Sequence, residues 1–198
     1  MWLVAGLGNP GKKYERNRHN IGFRVVEEFA RARGYPAWKD KLGAETTSGA
    51  VGAHKLVLAK PQQFMNLSGH AVQQLARFHA VEVANIIVVH DEVDLELGVV
   101  RVKQGGGHGG HNGLRSIIDQ LASAEFTRVR VGVGRDPNKP AGAKGDTAGW
   151  VLSDFPSAQA ETVDAMISTG CDAVAAIVEL GVVPAMNRYN NRSKPPAA

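Results

Sequence analysis

Trp2-Leu3-Val4-Ala5-Gly6-Leu7-Gly8-Asn9-Pro10-Gly11 opens the chain, and its reading decides the fold. Residues 2–6 read as a short buried strand, and the glycines behind it fit G-x-G-x-x-G, the turn that opens a dinucleotide-binding unit. Three features count against a nucleotide. Pro10 stands where the phosphate-facing turn should enter a helix, and Lys12–Asn17 is a polar loop. No second parallel strand arrives in time to present a ribose-binding acid, and Glu27 and Glu28 fall inside a helical pattern. A nucleotide site is therefore the weaker reading, and the strand feeds a glycine loop open to another ligand.

Working outward, Ile21, Val25, Phe29 and Arg33 are spaced by four, so the pattern predicts a helix over 20–33, capped by Asn20 and ended by Gly34. Strands are predicted near 44–50 and 53–60, the second stopped by Pro61. A helix follows over 67–79 with Val72, Leu75 and Phe78 on one face, and Ser68 near its start reads as a cap. Ile86–Val89 is an apolar strand, and 99–103 and 127–134 alternate as half-buried ones, with Val129, Val131 and Val133 inward. Helices are expected over 114–121, 157–180 and 184–190. Strands interleaved with helices imply a single α/β domain over 1–190, layered around a mixed, mostly parallel twisted sheet. Its site should lie at the carboxyl ends of the strands. Residues 135–149 read as a long loop acting as a movable lid, and 191–198 as a disordered tail.

The totals narrow the class. The 198 residues are 43% hydrophobic and 21% charged, as in an ordinary globular domain. No apolar run reaches the ~18 residues of a membrane span, the N-terminus does not read as a signal peptide, and a single cysteine fits a reducing cytoplasm. The net charge is +4, yet residues 12–41 alone carry +5. Charge alone does not say whether that is a solvated helix face or a footprint for phosphate.

Gly105-Gly106-Gly107-His108-Gly109-Gly110-His111-Asn112-Gly113 is the other conspicuous stretch. So mobile and polar a segment has little to pack, and it reads as a wall of a binding site. His90-Asp91-Glu92-Val93-Asp94 with His108 and His111 suggests a metal site. Strand alternation parts Asp91 from Glu92, however, and the loop is too floppy to fix two ligands. No G-x-S-x-G elbow supplies a serine nucleophile, and Cys171 sits in an apolar helical stretch as packing. Left over are three carboxamides in loops, Asn9, Asn66 and Asn112, and one acid–base pair, His19 with Asp91. Taken singly, each asparagine is a turn or cap residue. As a set they suit attack by water: Asp91 fixes the His19 tautomer, His19 takes the proton, and the amides hold water or oxyanion without adding charge.

At these residues the chain resembles bacterial peptidyl-tRNA hydrolase. The likeness is carried by Gly6–Gly11 with Tyr14, by Arg18-His19-Asn20-Ile21-Gly22, and by Lys60-Pro61 with Phe64-Met65-Asn66-Leu67-Ser68-Gly69. His90–Leu95, Gly105–Ile117 and Arg128–Arg135 complete it. Asn17, Gln63 and Glu96 depart from the usual residues, none at a position assigned to chemistry. The resemblance implies hydrolysis of the ester joining a peptide to the 3′ end of tRNA, recycling tRNA from aborted translation. It implies His19 as base, Asp91 as its support, and Asn9 as the residue separating N-blocked from free aminoacyl groups. Tyr14, Phe64, Asn66 and Asn112 are implied at the tRNA end or peptide. Lys103 and Arg130, with Arg101 and Arg128 assisting, are implied at the 5′ phosphate. A monomeric cytoplasmic enzyme without metal, cofactor or obligate protein partner is expected. An RNA binder without catalysis is the rival, separated by release of peptide from N-acetylaminoacyl-tRNA.

Overall fold

The computed structural model describes residues 1–140 and 147–191. Its centre is a seven-stranded sheet: β1 (Trp2–Gly6), β2 (Lys39–Lys41), β3 (Ala44–Val51), β4 (His54–Pro61), β5 (Ile86–Glu92), β6 (Val100–Gln104) and β7 (Thr127–Gly132), in the order β2-β3-β4-β1-β5-β7-β6. The inner four, β4-β1-β5-β7, pair in parallel. Antiparallel pairing is confined to the flanks, β2-β3-β4 on one side and β6-β7 on the other. The sheet is thus mixed, and five of the seven strands run the same way.

Alternation along β1 sorts the two cores. Val4 turns toward α1 (Ile21–Ala32) and α5 (Ala160–Leu180), where it joins Val25, Phe29, Val174 and Ile177. Leu3 and Ala5 turn toward α2 (Ser68–Phe78) and α3 (Asn112–Leu121), joining Val72, Leu75, Leu114 and Ile117. A four-residue α4 (Ala148–Val151) and α6 (Val182–Asn190) complete the helices. Among the described residues no helix is long and apolar enough to cross a membrane.

Two close approaches set the geometry above the sheet. A Cβ on Gly22 would lie 2.3 Å from Val89 O and 2.5 Å from Leu7 N, so only glycine lets α1 start against the ends of β1 and β5. A Cβ on Gly69 would lie 2.1 Å from Ser116 O, so the same argument seats α2 on α3.

Several local expectations change. Asn20 does not cap α1. Its carboxamide clamps Asn9 instead, accepting from Asn9 N and donating to Asn9 O at 2.9 Å each. Phe78 is 62% exposed beneath the Lys41 ammonium, and Ala71 and Ala76 fill the inner face of α2 beside Val72 and Leu75. Ser68 is fully buried and donates to Met65 O at 2.8 Å, where a cap would accept from an N–H. The proposed lid lies partly outside the described residues, at 141–146, and the tail lies outside them from 192. The lid's flanks are tied down: Arg135 pairs with Asp94, and Trp150 Nε1 donates to Gly134 O at 2.8 Å.

Candidate active site

The carboxyl ends of β1, β4 and β5 meet below a cleft of about 1160 Å³ lined by Asn9, His19, Phe64, Asn66, Asp91, His111 and Asn112, among others. Each residue reaches it for a local reason. Asn9 lies in the loop that β1 feeds, and His19 in the 3-10 turn Arg18–Asn20 that abuts α1. Phe64 and Asn66 follow the end of β4, and Asp91 is the penultimate residue of β5, which runs beyond Val89. His111 and Asn112 stand at the start of α3.

At the floor, His19 Nδ1 is 2.9 Å from both carboxylate oxygens of Asp91. A carboxylate only accepts, so Nδ1 carries the proton and the basic lone pair lies on Nε2. Burial works to lower the pKa of His19, but the charge and hydrogen bond of Asp91 outweigh it, and the net direction is upward. Burial would raise that of Asp91; His19 and His111 together overcome this and hold it far below the usual carboxylate range.

His111 is placed more firmly than its glycine-rich surroundings suggest. Its Nδ1 accepts from Gly113 N at 3.1 Å and Leu114 N at 3.3 Å, capping α3. The proton of the neutral ring is therefore on Nε2, which donates to Asp91 Oδ1 at 2.8 Å. The loop is pinned at its other end too: Arg128 donates to Gly107 O at 2.6 Å and to Gly106 O. The objection that this loop is too floppy to fix a histidine is thus overturned. His19, Asp91 and His111 offer ligand atoms within 4.8 Å of one another, a donor set that suits a borderline ion. A metal ligand must present a lone pair, however, and the His111 ring has none to spare while Nδ1 caps the helix. Strand alternation held: Asp91 turns to the two imidazoles and Glu92 to Arg130 Nε, at 3.3 Å.

Asn9 is buried, and its Oδ1 accepts from Met65 N at 2.8 Å. That bond fixes the amide orientation and leaves Nδ2 as the cleft-side group. Asn66 and Asn112 are exposed carboxamides on the cleft walls. Phe64, 55% exposed, forms a lip, with Tyr14 edge-on against it at 6.4 Å between ring centres.

Lys103 and Arg130 do not line the cleft. Register places Lys103 opposite Arg128 and Arg101 opposite Arg130, so four cations share one face of the β6-β7 ladder. Arg128 is only 3% exposed and so is not presented to solvent as an assisting phosphate ligand, whereas Arg101 is half-buried and donates to Val100 O and Tyr189 O at 3.1 Å. Two groups were missed from sequence. One is His111 as a hydrogen-bond partner of Asp91, since the sequence grouped the two only as ligands of a metal site. The other is Arg18, buried 3.5 Å over the Trp150 ring and donating to Ser153 O, Ser153 Oγ and Asp154 O, which holds α4 as a wall of the cleft. Asn17, the departure from the usual residue, donates to Asp154 Oδ1 at 2.7 Å in the same seam.

Comparison with known proteins gives the chain a family. A peptidyl-tRNA hydrolase from Rhodococcus erythropolis is 48% identical over 189 residues, covering 95% of this chain and 97% of that protein. One from Listeria monocytogenes is 41% identical over 192 residues, covering 97% and 100%. The crystal structure of peptidyl-tRNA hydrolase from Acinetobacter baumannii superposes with a TM-score of 0.89 at 36% identity, covering 98% of this chain and 97% of that one. The family model described as Peptidyl-tRNA hydrolase matches residues 3–197, and the chain belongs to that family.

Proposed function

We propose that the cleft performs the family's reaction, hydrolysis of the ester between peptide and tRNA 3′ end, with water activated by His19. The observation that carries this is the imidazole bound through Nδ1 to a buried carboxylate, with its lone pair left at Nε2. Nε2 takes a proton as the water oxygen attacks the ester carbonyl. The tetrahedral oxyanion collapses, the bond to the ribose 3′ oxygen breaks, and the imidazolium returns the proton to that oxygen. Asp91 keeps its charge throughout and stabilises the imidazolium, as a buried acid does for a catalytic histidine in other hydrolases.

Direct attack is favoured because the serine beside the cleft and the lone cysteine are both withdrawn. Ser68 is fully buried in its bond to Met65, and burial above all pushes the Cys171 thiol up to about 12. Asn66 and Asn112 hold the water and the oxyanion from the walls. Asn9, presenting Nδ2, donates to the carbonyl of a blocked peptide and meets a free α-ammonium donor to donor, which supports rejection of ordinary aminoacyl-tRNA. Tyr14 and Phe64 receive the CCA end, and Lys103 and Arg130 the 5′ phosphate. Backbone and shape suffice for recognition, since every tRNA offers both. The enzyme works in the cytoplasm, without metal, cofactor or obligate protein partner.

Release of peptide from N-acetylaminoacyl-tRNA tests the reading. His19→Ala should lower turnover by about 10²–10⁴-fold with tRNA affinity nearly intact. In ¹⁸O water a single turnover should place the label in the peptide. A trapped acyl-enzyme would overturn direct attack, and inhibition by chelators would overturn metal independence.

A further inference from the structure

We propose that Arg128 is a positioning residue that couples Lys103 and Arg130 to the glycine loop, so that a 5′ phosphate on those cations sets the backbone carrying His111 and Asn112. The inference rests on the phosphate reading given above. β6 ends beside Thr127, the first residue of β7, whereas His111 touches Asp91 near the end of β5. Residues 105–110 must therefore climb the height of the sheet. They do so between two fixed points. At the top, His111 is locked to Asp91 and to the start of α3. At the bottom, Gly105 N donates to Phe126 O at 3.1 Å, and Arg128 holds the carbonyls of Gly106 and Gly107. Between these points one turn intervenes, in which His111 N donates to His108 O at 3.0 Å and Gly110 N to His108 Nδ1 at 2.9 Å.

Arg128 is an unusual clamp. Its guanidinium is buried, its bonds go to two neutral carbonyls, and its Nε is buried with no hydrogen-bond partner among the described residues. A cation so placed costs stability compared with an apolar side chain, so packing alone does not account for it. The groups around it identify a role. Arg130, two residues on, faces it with like charge, while Glu92 and Glu125 oppose it. Lys103, directly across the ladder, rests its ammonium on Gly106, where an added Cβ would lie 2.8 Å from Nζ. An anion drawn to Lys103 and Arg130 therefore acts on one cation that lies against Gly106, whose carbonyl Arg128 holds, and on another whose charge faces Arg128 itself. It also relieves the repulsion between the two arginines. The loop is the path by which substrate seated at its 5′ end orders the residues above the ester.

Paired substrates test this: N-acetylaminoacyl-tRNA bearing either a 5′ phosphate or a 5′ hydroxyl. In the unaltered enzyme the phosphate should lower KM and also raise kcat, by about fivefold or more. In Arg128→Gln the KM advantage should persist and the kcat advantage vanish, with partial rescue in Arg128→Lys. Retention of the kcat ratio in Arg128→Gln, or a phosphate effect confined to KM in the unaltered enzyme, overturns the coupling but leaves the phosphate site standing. A KM advantage that survives Lys103→Ala undamped would instead remove the phosphate site, and the coupling with it. Should Arg128→Gln fail to fold, hydrogen exchange decides on the unaltered protein. Amides of 105–111 should exchange several-fold more slowly with a 5′-phosphorylated acceptor-stem duplex than with its 5′-hydroxyl twin, and equal rates overturn the proposal.

Discussion

At the scale of single residues, the site is an imidazole whose proton is placed by hydrogen-bond necessity. Asp91 sits between two histidines that differ in kind. His19 spends one ring nitrogen on Asp91, whereas both nitrogens of His111 are engaged, one by Asp91 and the other by two backbone donors. Asp91→Asn removes the charge that raises His19, so the acidic limb of the rate profile should move to lower pH as kcat falls by about 10²-fold or more. An unmoved limb would show that another group titrates there. Asn9→Ala should narrow the preference for N-blocked over free aminoacyl-tRNA, measured as the ratio of kcat/KM for the two. His19, Asp91 and the three asparagines stood out in the sequence as polar residues at strand ends and helix starts, and the structure brings all five to one cleft. Asn20 and Arg18 were not legible. Polar or charged residues buried by contacts more than a hundred positions away, as Arg18 is by Ser153 and Asp154, leave no local trace.

Among the elements, what the sequence showed was periodicity. Strands β1, β4, β5 and β7 announced themselves as apolar or alternating runs, and α1 by its four-residue spacing. Strand β2 did not, since Lys39-Asp40-Lys41 at a sheet edge shows neither apolar content nor alternation and owes its form to pairing with β3. Phe78 was assigned inward on spacing, but the face of α2 that α3 covers is set by the Gly69–Ser116 approach and runs through small residues. The other such approach is more consequential. Gly22→Ala must push α1 off the ends of β1 and β5, carrying His19 with it. A urea melt should show a loss of about 1–3 kcal/mol, with kcat falling alongside. Unchanged stability and rate would mean that α1 can shift without cost to the site.

Over the whole molecule, the charge surplus of residues 12–41 proves to be several things. Arg18 is buried, Arg24 and Arg31 are ion-paired, and Arg33 and Lys41 lie over aromatic rings. The cations assigned to phosphate lie elsewhere, on β6 and β7, where alternation puts them on one face and valines on the other. Association with tRNA should weaken with salt, and Lys103→Ala should reduce the slope of log(kcat/KM) against log[salt] by roughly 1. An unchanged slope would place Lys103 outside the contact. The event proposed at the centre of this is removal of a proton from water by His19. The most direct test follows the ¹⁵N shifts of the His19 ring against pH beside the kcat/KM profile. Nδ1 should stay protonated while Nε2 titrates above the ordinary ~6.5 of histidine, at the midpoint of the kinetic acidic limb, and both should fall together in Asp91→Asn. A ring that titrates apart from the kinetic limb, or that carries its neutral proton on Nε2, would contradict the account.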